Sequence, residues 1–348
     1  MCISPRSLLP LVLVAALATA VLGCAQPTQA PTTAAPPAVS GTAAPAVAAP
    51  AAPTRELPLL RVAYVSPVAA MAPLWMAKES GAFDRAGVPV EVRYIQANAA
   101  IAALIAGEVD LLEISGPAVL SAVLQGGADI VFIAGALNQM IFTVHTTPAI
   151  HSPQELKGKL FGTDRPGTPV GFVAEVAIEK MGLQPSDLQV LNIGSSDQLL
   201  AALLSGQLAS TVLGPPANFV AEDAGFPSLI DLYDVPYQNI GIAGRRERLP
   251  ALEPSLVPFL RAFREGMERY NSDKALALEV IGQYSQESNP EVLDKTYEFY
   301  RRAGWNLNLG VSEQGIASIA GYLEKHVPNA RSIQVSQVFD GRYAQQVR

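Results

Sequence analysis

Short apolar runs alternate with stretches of helical periodicity in the first part of the chain. LLRVAYV (59–65) and DIVFIAGAL (129–137) are mostly apolar runs of strand length, whereas AAIAALIAG (99–107) carries its larger apolar residues at helical spacing. A strand–helix–strand order of this kind predicts a mostly parallel sheet that is covered by helices on both faces. We therefore expect an α/β fold.

The same alternation begins again at residue 140. MIFTVHT (140–146), KLFGTD (159–164) and STVLG (210–214) predict strands, QNIGIAGRR (238–246) predicts a further strand, and residues 253–348 are mainly helical in pattern. The roughly 290 residues after residue 57 exceed the size of one typical domain, about 100–150 residues. The sequence therefore predicts two α/β lobes.

One segment of the chain is repeated at a distance of 99 residues. AALIAGEVDLLEISGPAV begins at Ala102 and AALLSGQLASTVLGPPAN begins at Ala201, and six of the eighteen positions are identical. A chance match is the alternative in a chain rich in Ala and Leu. Because a Gly and a Pro stay in register, we interpret the repeat as one helix–strand–loop–helix unit in each lobe.

The N-terminal residues are typical of an export signal rather than of a fold. Residues 1–23 place Arg6 before an uncharged apolar run, which predicts a secretory signal peptide. A transmembrane anchor is the alternative, but the run falls short of the roughly 20 residues that a span needs. The tetrad Val21-Leu22-Gly23-Cys24 resembles a bacterial lipobox, which implies that Cys24 carries a lipid and becomes the mature N-terminus.

A tether is expected to follow the lipidated cysteine. Residues 25–54 contain no charged residue and consist of Ala, Pro, Thr, Gln, Val, Ser and Gly. Such a segment buries too little apolar surface to offset its ordering entropy, and a Pro-rich chain of this length could extend to ~90 Å. We assign residues 24–57 to the lipidated cysteine and a disordered linker, for which a glycosylated stalk is an alternative role.

Cysteine content and charge exclude several classes of function. The chain has two cysteines, Cys2 and Cys24, so cleavage and acylation would leave the mature chain without a free thiol. A disulfide framework, a Cys-ligated metal and a Cys nucleophile are then excluded. Loss of residues 1–23 removes one of the 24 Lys and Arg residues and none of the 31 acids, giving a net charge of −8. That balance disfavours nucleic acid as a partner.

Proline stands at the expected start of four helices, where its missing N–H would have no helical partner. The four pairs are Ala72-Pro73, Gly116-Pro117, Thr168-Pro169 and Pro215-Pro216. Each follows a predicted strand, at the edge where open α/β sheets bind ligands. Free backbone N–H groups and the helix dipole at such starts favour an anion. Ordinary capping without a ligand is the alternative.

Several motifs resemble one family of binding proteins. Pro73-Leu74, Trp75, Ala77-Lys78-Glu79 and Gly81-Ala82-Phe83 stand in the order typical of nitrate/sulfonate/taurine-type periplasmic binding proteins. These are substrate-binding components of ABC importers, and the group includes binders of thiamine-pyrimidine precursors. Further matches are Gly107-Glu108-Val109-Asp110, Ser115-Gly116-Pro117 and Glu155-Leu156-Lys157-Gly158-Lys159.

The resemblance runs from about Leu60 to Lys274 and implies a type II periplasmic-binding-protein fold. Such a fold has two α/β lobes, two crossover strands and a ligand cleft between the lobes. On this basis we expect lobe 1 to comprise residues 58–140 and 245–348, and lobe 2 to comprise residues 141–244.

By the same resemblance, ligand contacts come from the loops that follow the strands. The implied residues are Ser66, Ala72, Ser115, Gly116, Asn138, Arg165, Gly167, Thr168, Gly214 and Pro215. Arg165 could pair with a sulfonate or carboxylate, or only with its neighbour Asp164. The other loops are neutral and fit a small anion held by helix starts or a neutral heteroaromatic ring. No metal and no cofactor is expected.

The resemblance implies a substrate-binding lipoprotein on the extracytoplasmic face of the bacterial cytoplasmic membrane. We expect a monomer that captures a sulfonate-, taurine- or nitrate-like anion, or a pyrimidine or vitamin precursor. It would deliver this solute to an ABC permease, which is driven by a separate ATPase subunit.

Two other classes of function stay open. One is a ligand-sensing lipoprotein that regulates a membrane partner. The other is an enzyme that makes the thiamine pyrimidine, but the enzyme of this fold family uses a Cys-rich motif, which the mature chain lacks. The sequence also contains no Gly-x-Ser-x-Gly and no nucleotide-binding Gly motif.

Overall fold

The computed structural model of the chain describes residues 57–165 and 168–347. The predicted signal peptide, Cys24, nearly all of the predicted linker and Gly167 lie outside the described residues. No helix in the described part of the chain is long and apolar enough to cross a membrane.

Ten strands form two sheets of five strands each within the described residues. The strands are β1 (Leu60–Tyr64), β2 (Val90–Tyr94), β3 (Leu111–Ser115), β4 (Ile130–Gln139), β5 (Thr143–Thr146), β6 (Leu160–Thr163), β7 (Gln189–Asn192), β8 (Ser210–Leu213), β9 (Ser228–Asp231) and β10 (Pro236–Arg245). The six strand segments quoted above are present as β1, β4, β5, β6, β8 and β10, whereas no strand was predicted at β9.

The two sheets have equivalent topologies. Their strand orders are β2-β1-β3-β10-β4 and β7-β6-β8-β5-β9. In each sheet the first three strands are parallel, and the fourth is antiparallel to both of its neighbours. The antiparallel strands β5 and β10 directly follow the two connections between the sheets, so each lobe receives this strand from a crossover. The predicted α/β class is confirmed.

Helices cover both sheets. They are α1 (Ala72–Glu79), α2 (Ala82–Arg85), α3 (Ala97–Ala106), α4 (Gly116–Gly126), α5 (Pro169–Lys180), α6 (Ser196–Leu204), α7 (Ala217–Asp223), α8 (Leu249–Ser272), α9 (Lys274–Ser285), α10 (Pro290–Ala303), α11 (Glu313–Leu323), α12 (Val335–Val338) and α13 (Arg342–Gln345). Short 3₁₀ turns span Ala69–Met71, Pro153–Leu156, Pro185–Asp187 and Ala330–Ser332.

The sequence repeat corresponds to α3–β3–α4 in the first lobe and α6–β8–α7 in the second. Gly107 and Gly206 end the first helix of each unit with φ values of +76° and +75°, a conformation that glycine adopts without steric cost. The Pro residues of the repeat differ in position: Pro117 is the second residue of α4, whereas Pro216 precedes α7 as its N-cap. Because both copies fold as helix, strand and helix, with a glycine at the end of the first helix, the sequence repeat reflects a repeated structural unit.

Two of the apolar cores correspond to the two sheets. The first contains β1, β3, β4, α1 and α8, and the second contains β5, β8 and α5. Helix α11 belongs to the C-terminal part of the chain, yet its Ile316 and Ile319 lie in the second core, and Phe172 of α5 contacts Tyr322 with ring centroids 4.9 Å apart. The C-terminal region thus packs against both lobes.

The division between the lobes was predicted at residues 244 and 245, near the end of the return strand predicted at 238–246. Hydrogen bonding places that strand, β10, in the first sheet along its whole length from Pro236. The change of sheet thus occurs in the segment between β9 and β10.

Candidate functional site

A cavity of about 720 Å³ lies between the carboxyl ends of the parallel strands of both sheets. Residues of its wall lie at or after the ends of β1, β2, β3, β6, β7 and β8, and both crossovers contribute, through the connection before β5 and through β10 itself. Backbone N–H groups and side chains converge at this edge of an open α/β sheet, so ligands bind here as a rule. A second cavity of about 590 Å³ lies near the amino ends of β6 and β7. The larger cavity is the candidate site because residues of both lobes line it.

The first lobe supplies hydroxyl and aromatic groups to the wall. Ser66 follows β1, and Ser115 is the last residue of the fully buried strand β3. The Oγ atom of Ser115 makes no hydrogen bond, although the residue stands at the N-cap of α4. Tyr94, at the end of β2, lines the cavity with nearly half of its surface exposed and packs against Tyr64 with ring centroids 5.4 Å apart.

The second lobe supplies the charged groups. Asp164 and Arg165 follow β6, and Asp197 lies in the first turn of α6. The Oδ1 atom of Asp164 accepts a hydrogen bond from the Arg165 backbone N–H at 2.7 Å, and the Arg165 Nε atom lies 4.0 Å from the same oxygen. The guanidinium is mostly exposed, so it remains accessible to a ligand.

Half of the ten predicted ligand contacts line the cavity. They are Ser66, Ser115, Arg165, Gly214 and Pro215. Each lies at the end of a parallel strand or within a few residues after it, which is the position from which they were predicted.

Ala72 and Gly116 do not line the cavity. Ala72 is completely buried in the first core. A Cβ atom at Gly116 would lie 2.5 Å from the Gln238 carbonyl oxygen and 2.6 Å from the Ile319 Cδ1 atom. The small size of Gly116 therefore allows α4 to pack against β10 and α11, and it does not admit a ligand.

Asn138 and Thr168 also form internal contacts instead. The Asn138 amide donates to the Gly310 carbonyl oxygen at 2.9 Å and holds the loop before α11. The Thr168 hydroxyl donates to the Arg165 carbonyl oxygen at 2.7 Å and accepts from the Gly171 N–H at 3.1 Å. Thr168 thus acts as the N-cap of α5, so at this helix start the structure agrees with ordinary capping rather than with a ligand contact. Gly167 lies outside the described residues.

Many polar or aromatic residues of the wall were not predicted from the sequence. Among them are Tyr94, Asn192, Asp197, Tyr237, Asn239 and Tyr300. Tyr94 and Asn192 are the last residues of β2 and β7, so the rule that selected Ser115 would have found them. No local signal marks Tyr237 or Tyr300, because β10 and α10 reach the cavity only through the tertiary fold.

Burial controls the chemistry of the two tyrosines. Both Tyr237 and Tyr300 are completely buried, and burial raises the pKa of each far above its ordinary value. Both hydroxyls are therefore neutral at physiological pH. The described residues contain no group of three His, Cys, Asp or Glu side chains that could hold a metal ion. The wall is suited to hydrogen bonding and stacking.

Solved structures share this architecture. The alkanesulfonate-binding protein SsuA from Xanthomonas axonopodis pv. citri, bound to MOPS, is 18% identical with a TM-score of 0.68, over 82% of this chain and 99% of that one. The ligand-binding component of an ABC-type import system from Staphylococcus aureus is 15% identical with a TM-score of 0.66, over 83% and 99%. The periplasmic nitrate-binding protein NrtA from Synechocystis PCC 6803 is 14% identical with a TM-score of 0.62, over 84% and 88%.

The fold is therefore the periplasmic-binding-protein fold, as predicted. No match to the sequence is found among curated proteins. The model of the family described as "NMT1/THI5 like" matches residues 69–273, which is more than half of the chain. The chain belongs to the NMT1/THI5-like family.

Proposed function

We propose that the protein is the substrate-binding component of an ABC importer. The observation that carries this proposal is the cavity between two equivalent lobes, lined by the ends of strands from both sheets. A pocket of about 720 Å³ has the size of a small-molecule site. The alkanesulfonate-binding and ABC-import proteins with similar structures support a binding function over catalysis.

The connections between the sheets support closure around a ligand. The chain passes from the first sheet to the second between β4 and β5, and it returns between β9 and β10. Two short connections of this kind can act as a hinge between lobes. Closure would bury the ligand and present both lobes to a membrane permease, while a separate subunit hydrolyses ATP.

Export and lipidation are part of the proposal. Residues 1–23 would be removed, and Cys24 would anchor the protein to the extracytoplasmic face of the membrane as a monomer. Labelling of growing cells with an alkyne fatty acid tests the anchor. The wild-type chain should become labelled and stay in the membrane fraction, whereas Cys24→Ala should lose the label. A label that persists in Cys24→Ala would contradict the assignment.

A thermal-shift screen of the full chain tests the binding function. The panel contains taurine, alkanesulfonates, nitrate, hydroxymethylpyrimidine, thiamine and riboflavin, and native mass spectrometry first shows whether a ligand remains after purification. A ligand at 100 times its Kd stabilises the folded state by about 2.7 kcal/mol, which raises the unfolding midpoint by a few degrees. A folded, ligand-free sample that binds none of the panel and retained no ligand from the cell would contradict the proposed function.

A further inference from the structure

The C-terminal region of the chain contacts the second lobe on both faces of its sheet. On β6, Phe161 faces the second core, which contains α5. A Cβ atom on the next residue, Gly162, would meet Leu199 and Leu208, which belong to a separate apolar core beneath α6 and α7. Helix α11 packs on the α5 face, and α10 contacts α7 on the opposite face. Separation of the two lobes must therefore break at least one of these two contacts.

The contact on the α5 face is apolar and excluded from water. Ile316 and Ile319 of α11, Leu120 of α4 and Phe172 of α5 share the second core and are each 0–4% exposed. Phe172 also stacks on Tyr237 of β10, with ring centroids 5.4 Å apart. Separating these side chains would expose apolar surface to water, which is unfavourable in proportion to the area exposed. This contact should persist when the lobes move.

The contact on the α7 face is polar and partly exposed. The Lys295 ammonium of α10 donates to the Asp223 Oδ1 atom of α7 at 2.5 Å, and the two side chains are 36% and 34% exposed. Beside this ion pair, the half-buried rings of Phe299 and Phe219 lie with centroids 6.0 Å apart. A partly exposed ion pair adds little stability, because water screens the attraction. The α7 face is therefore the weaker of the two contacts.

Lys295 has a second partner on its own helix. The Glu291 Oε1 atom lies 3.0 Å from the Lys295 Nζ atom, one turn earlier on α10. If α7 moves away, Lys295 keeps this ion pair and Asp223 becomes hydrated. Because both charges retain favourable surroundings, the bond between α7 and α10 can break and form again at low cost.

The α7–α10 contact lies beside the cavity. Gly214 and Pro215, just before α7, line the cavity wall, as does Tyr300 of α10. The buried Tyr300 hydroxyl has no hydrogen-bond partner among the described residues, and neither has the buried Asn218 Oδ1 atom of α7. Buried polar atoms are normally paired, and water that enters the cavity wall would pair with the Tyr300 hydroxyl. Separation of α7 from α10 would thus connect the cavity to solvent.

We propose, on the basis of the binding function proposed above, that α7 and α10 form the gate of the cavity and that the Lys295–Asp223 ion pair holds this gate closed. The gate opens when α7 moves away from α10, while α5 stays packed against α4 and α11. The ligand then enters and leaves on the α7 face of the second sheet.

Distances between spin labels in the ligand-free full chain test which face opens. The two native cysteines are replaced by serine, and label pairs are placed at exposed positions. Ala224→Cys at the end of α7 and Gln283→Cys on α9, a helix of the first core, report on the gate. Ser186→Cys in the second lobe and Ala317→Cys on α11 report on the α5 face.

Lys295→Asp should lengthen the gate distance, because it replaces an attraction to Asp223 by a repulsion, and should leave the distance on the α5 face unchanged. Adding Asp223→Lys should restore the wild-type distance. Lys274→Asp is the matched control, since both ion-pair partners of Lys274, Asp294 and Glu298, lie on α10, and it should change neither distance. An unchanged gate distance in Lys295→Asp, an equal change in the control, or equal lengthening on both faces would overturn the inference.

The rate of thiol modification tests whether this gate controls entry. In the same serine-substituted chain, without labels, Ser115→Cys places a thiol of similar size in the cavity wall, where the residue is 5% exposed. The probe is 2-(trimethylammonium)ethyl methanethiosulfonate. It should modify this thiol roughly fivefold faster when Lys295→Asp is added, as expected for loss of one partly exposed ion pair, and at an unchanged rate with Lys274→Asp. Equal rates in all three chains would show that solutes enter elsewhere and would overturn the gate.

Neither measurement uses a ligand of the cavity, so the gate and the binding function are tested separately. A gate that does not open in these experiments leaves the binding function to the thermal-shift panel above. A chain that opens at α7 but binds nothing in that panel, and retained no ligand from the cell, contradicts the binding function and not the movement.

Discussion

Glu113 and Leu74 bring a carboxyl group and a backbone N–H together in the interior of the first lobe. Glu113 lies on β3 with no exposed surface, and Leu74 lies in the first turn of α1, where backbone N–H groups have no helical partner. Neither carboxyl oxygen forms a hydrogen bond of good geometry. Burial outweighs the nearby Leu74 N–H and raises the pKa of Glu113 well above its ordinary value, so the carboxyl group is protonated in the folded protein over a wide pH range.

We predict that Glu113 makes the protein less stable as pH rises. A carboxyl whose folded pKa is raised favours folding most below its unfolded pKa, near 4.5, and this contribution decreases as pH rises towards the folded pKa. Each pKa unit corresponds to about 1.4 kcal/mol. Glu113→Gln keeps the shape without the charge. Urea unfolding from pH 5 to pH 8 should show a smaller loss of stability in this variant than in the wild type.

Asp110→Asn is the matched control for Glu113→Gln. Asp110 is also buried, but its carboxylate accepts hydrogen bonds from the Arg61 Nε and Nη2 atoms at 3.0 and 2.9 Å. Loss of hydrogen bonds to a charged partner should lower the stability by roughly 1–3 kcal/mol at neutral pH. A comparable loss in Glu113→Gln would show that Glu113 is ionised and paired, and would contradict the prediction.

His145 should have the opposite effect on pH dependence. It is buried in β5, with its ring nitrogens 2.7 Å from the Thr143 hydroxyl and 3.1 Å from the Phe226 carbonyl oxygen. Burial lowers the pKa of His145 below its ordinary value of 6.5. The neutral ring therefore stabilises the fold above pH 6.5, and this contribution is lost as pH falls through the folded pKa.

His145→Gln tests this assignment. The variant should lose roughly 1–3 kcal/mol at pH 7.5, because its buried neighbours lose their partners, but its stability should fall less than that of the wild type between pH 6.5 and pH 5. His151→Gln is the control, since the side chain of His151 is exposed and only its backbone N–H bonds to Glu155. Parallel pH curves for wild type and His145→Gln would rule out a contribution from His145.

Gly116 should tolerate no side chain. In Gly116→Ala the new methyl group would overlap the Gln238 carbonyl oxygen and Ile319, and overpacking of this kind costs about 1–3 kcal/mol. Gly126→Ala lies in the same helix with no heavy atom within 4 Å of its Cβ position, so it should gain about 0.5–1 kcal/mol. Urea unfolding measures both variants. Equal stabilities would mean that α4 can move away from β10 at no cost.

The contrast between Ser115 and Gly116 shows how far sequence reasoning reached. The strand pattern located the end of β3 correctly, and Ser115 does line the cavity. Gly116 was expected to contact a ligand, but its neighbours are Gln238 and Ile319. These residues are more than 120 positions away, and only the tertiary fold brings them to the helix start.

In the second lobe, too, the sequence located the helices but not which of their polar and charged residues face the cavity. Thr168 and Pro169 were recognised as a helix start. The sequence could not show whether a ligand or the Thr168 hydroxyl accepts a hydrogen bond from the backbone there, and in the structure the hydroxyl accepts from the Gly171 N–H. Asp197 was not among the ligand contacts that the sequence analysis named. Its place in the wall depends on the position of α6 beside β6 and β8, which periodicity alone does not define.

Ser196→Trp should block the cavity without unfolding the protein. Ser196 is the first residue of α6, is half-buried and lines the cavity, so an indole ring there would fill space that a ligand needs. Ala201→Trp is the control, because Ala201 is exposed on the same helix and is not part of the cavity wall. Calorimetry with the tightest-binding compound should show at least tenfold weaker binding for Ser196→Trp and wild-type binding for Ala201→Trp, with similar unfolding midpoints for both variants. Unchanged affinity in Ser196→Trp would place the ligand site elsewhere, because a ligand and the new indole ring could not occupy the same part of the cavity.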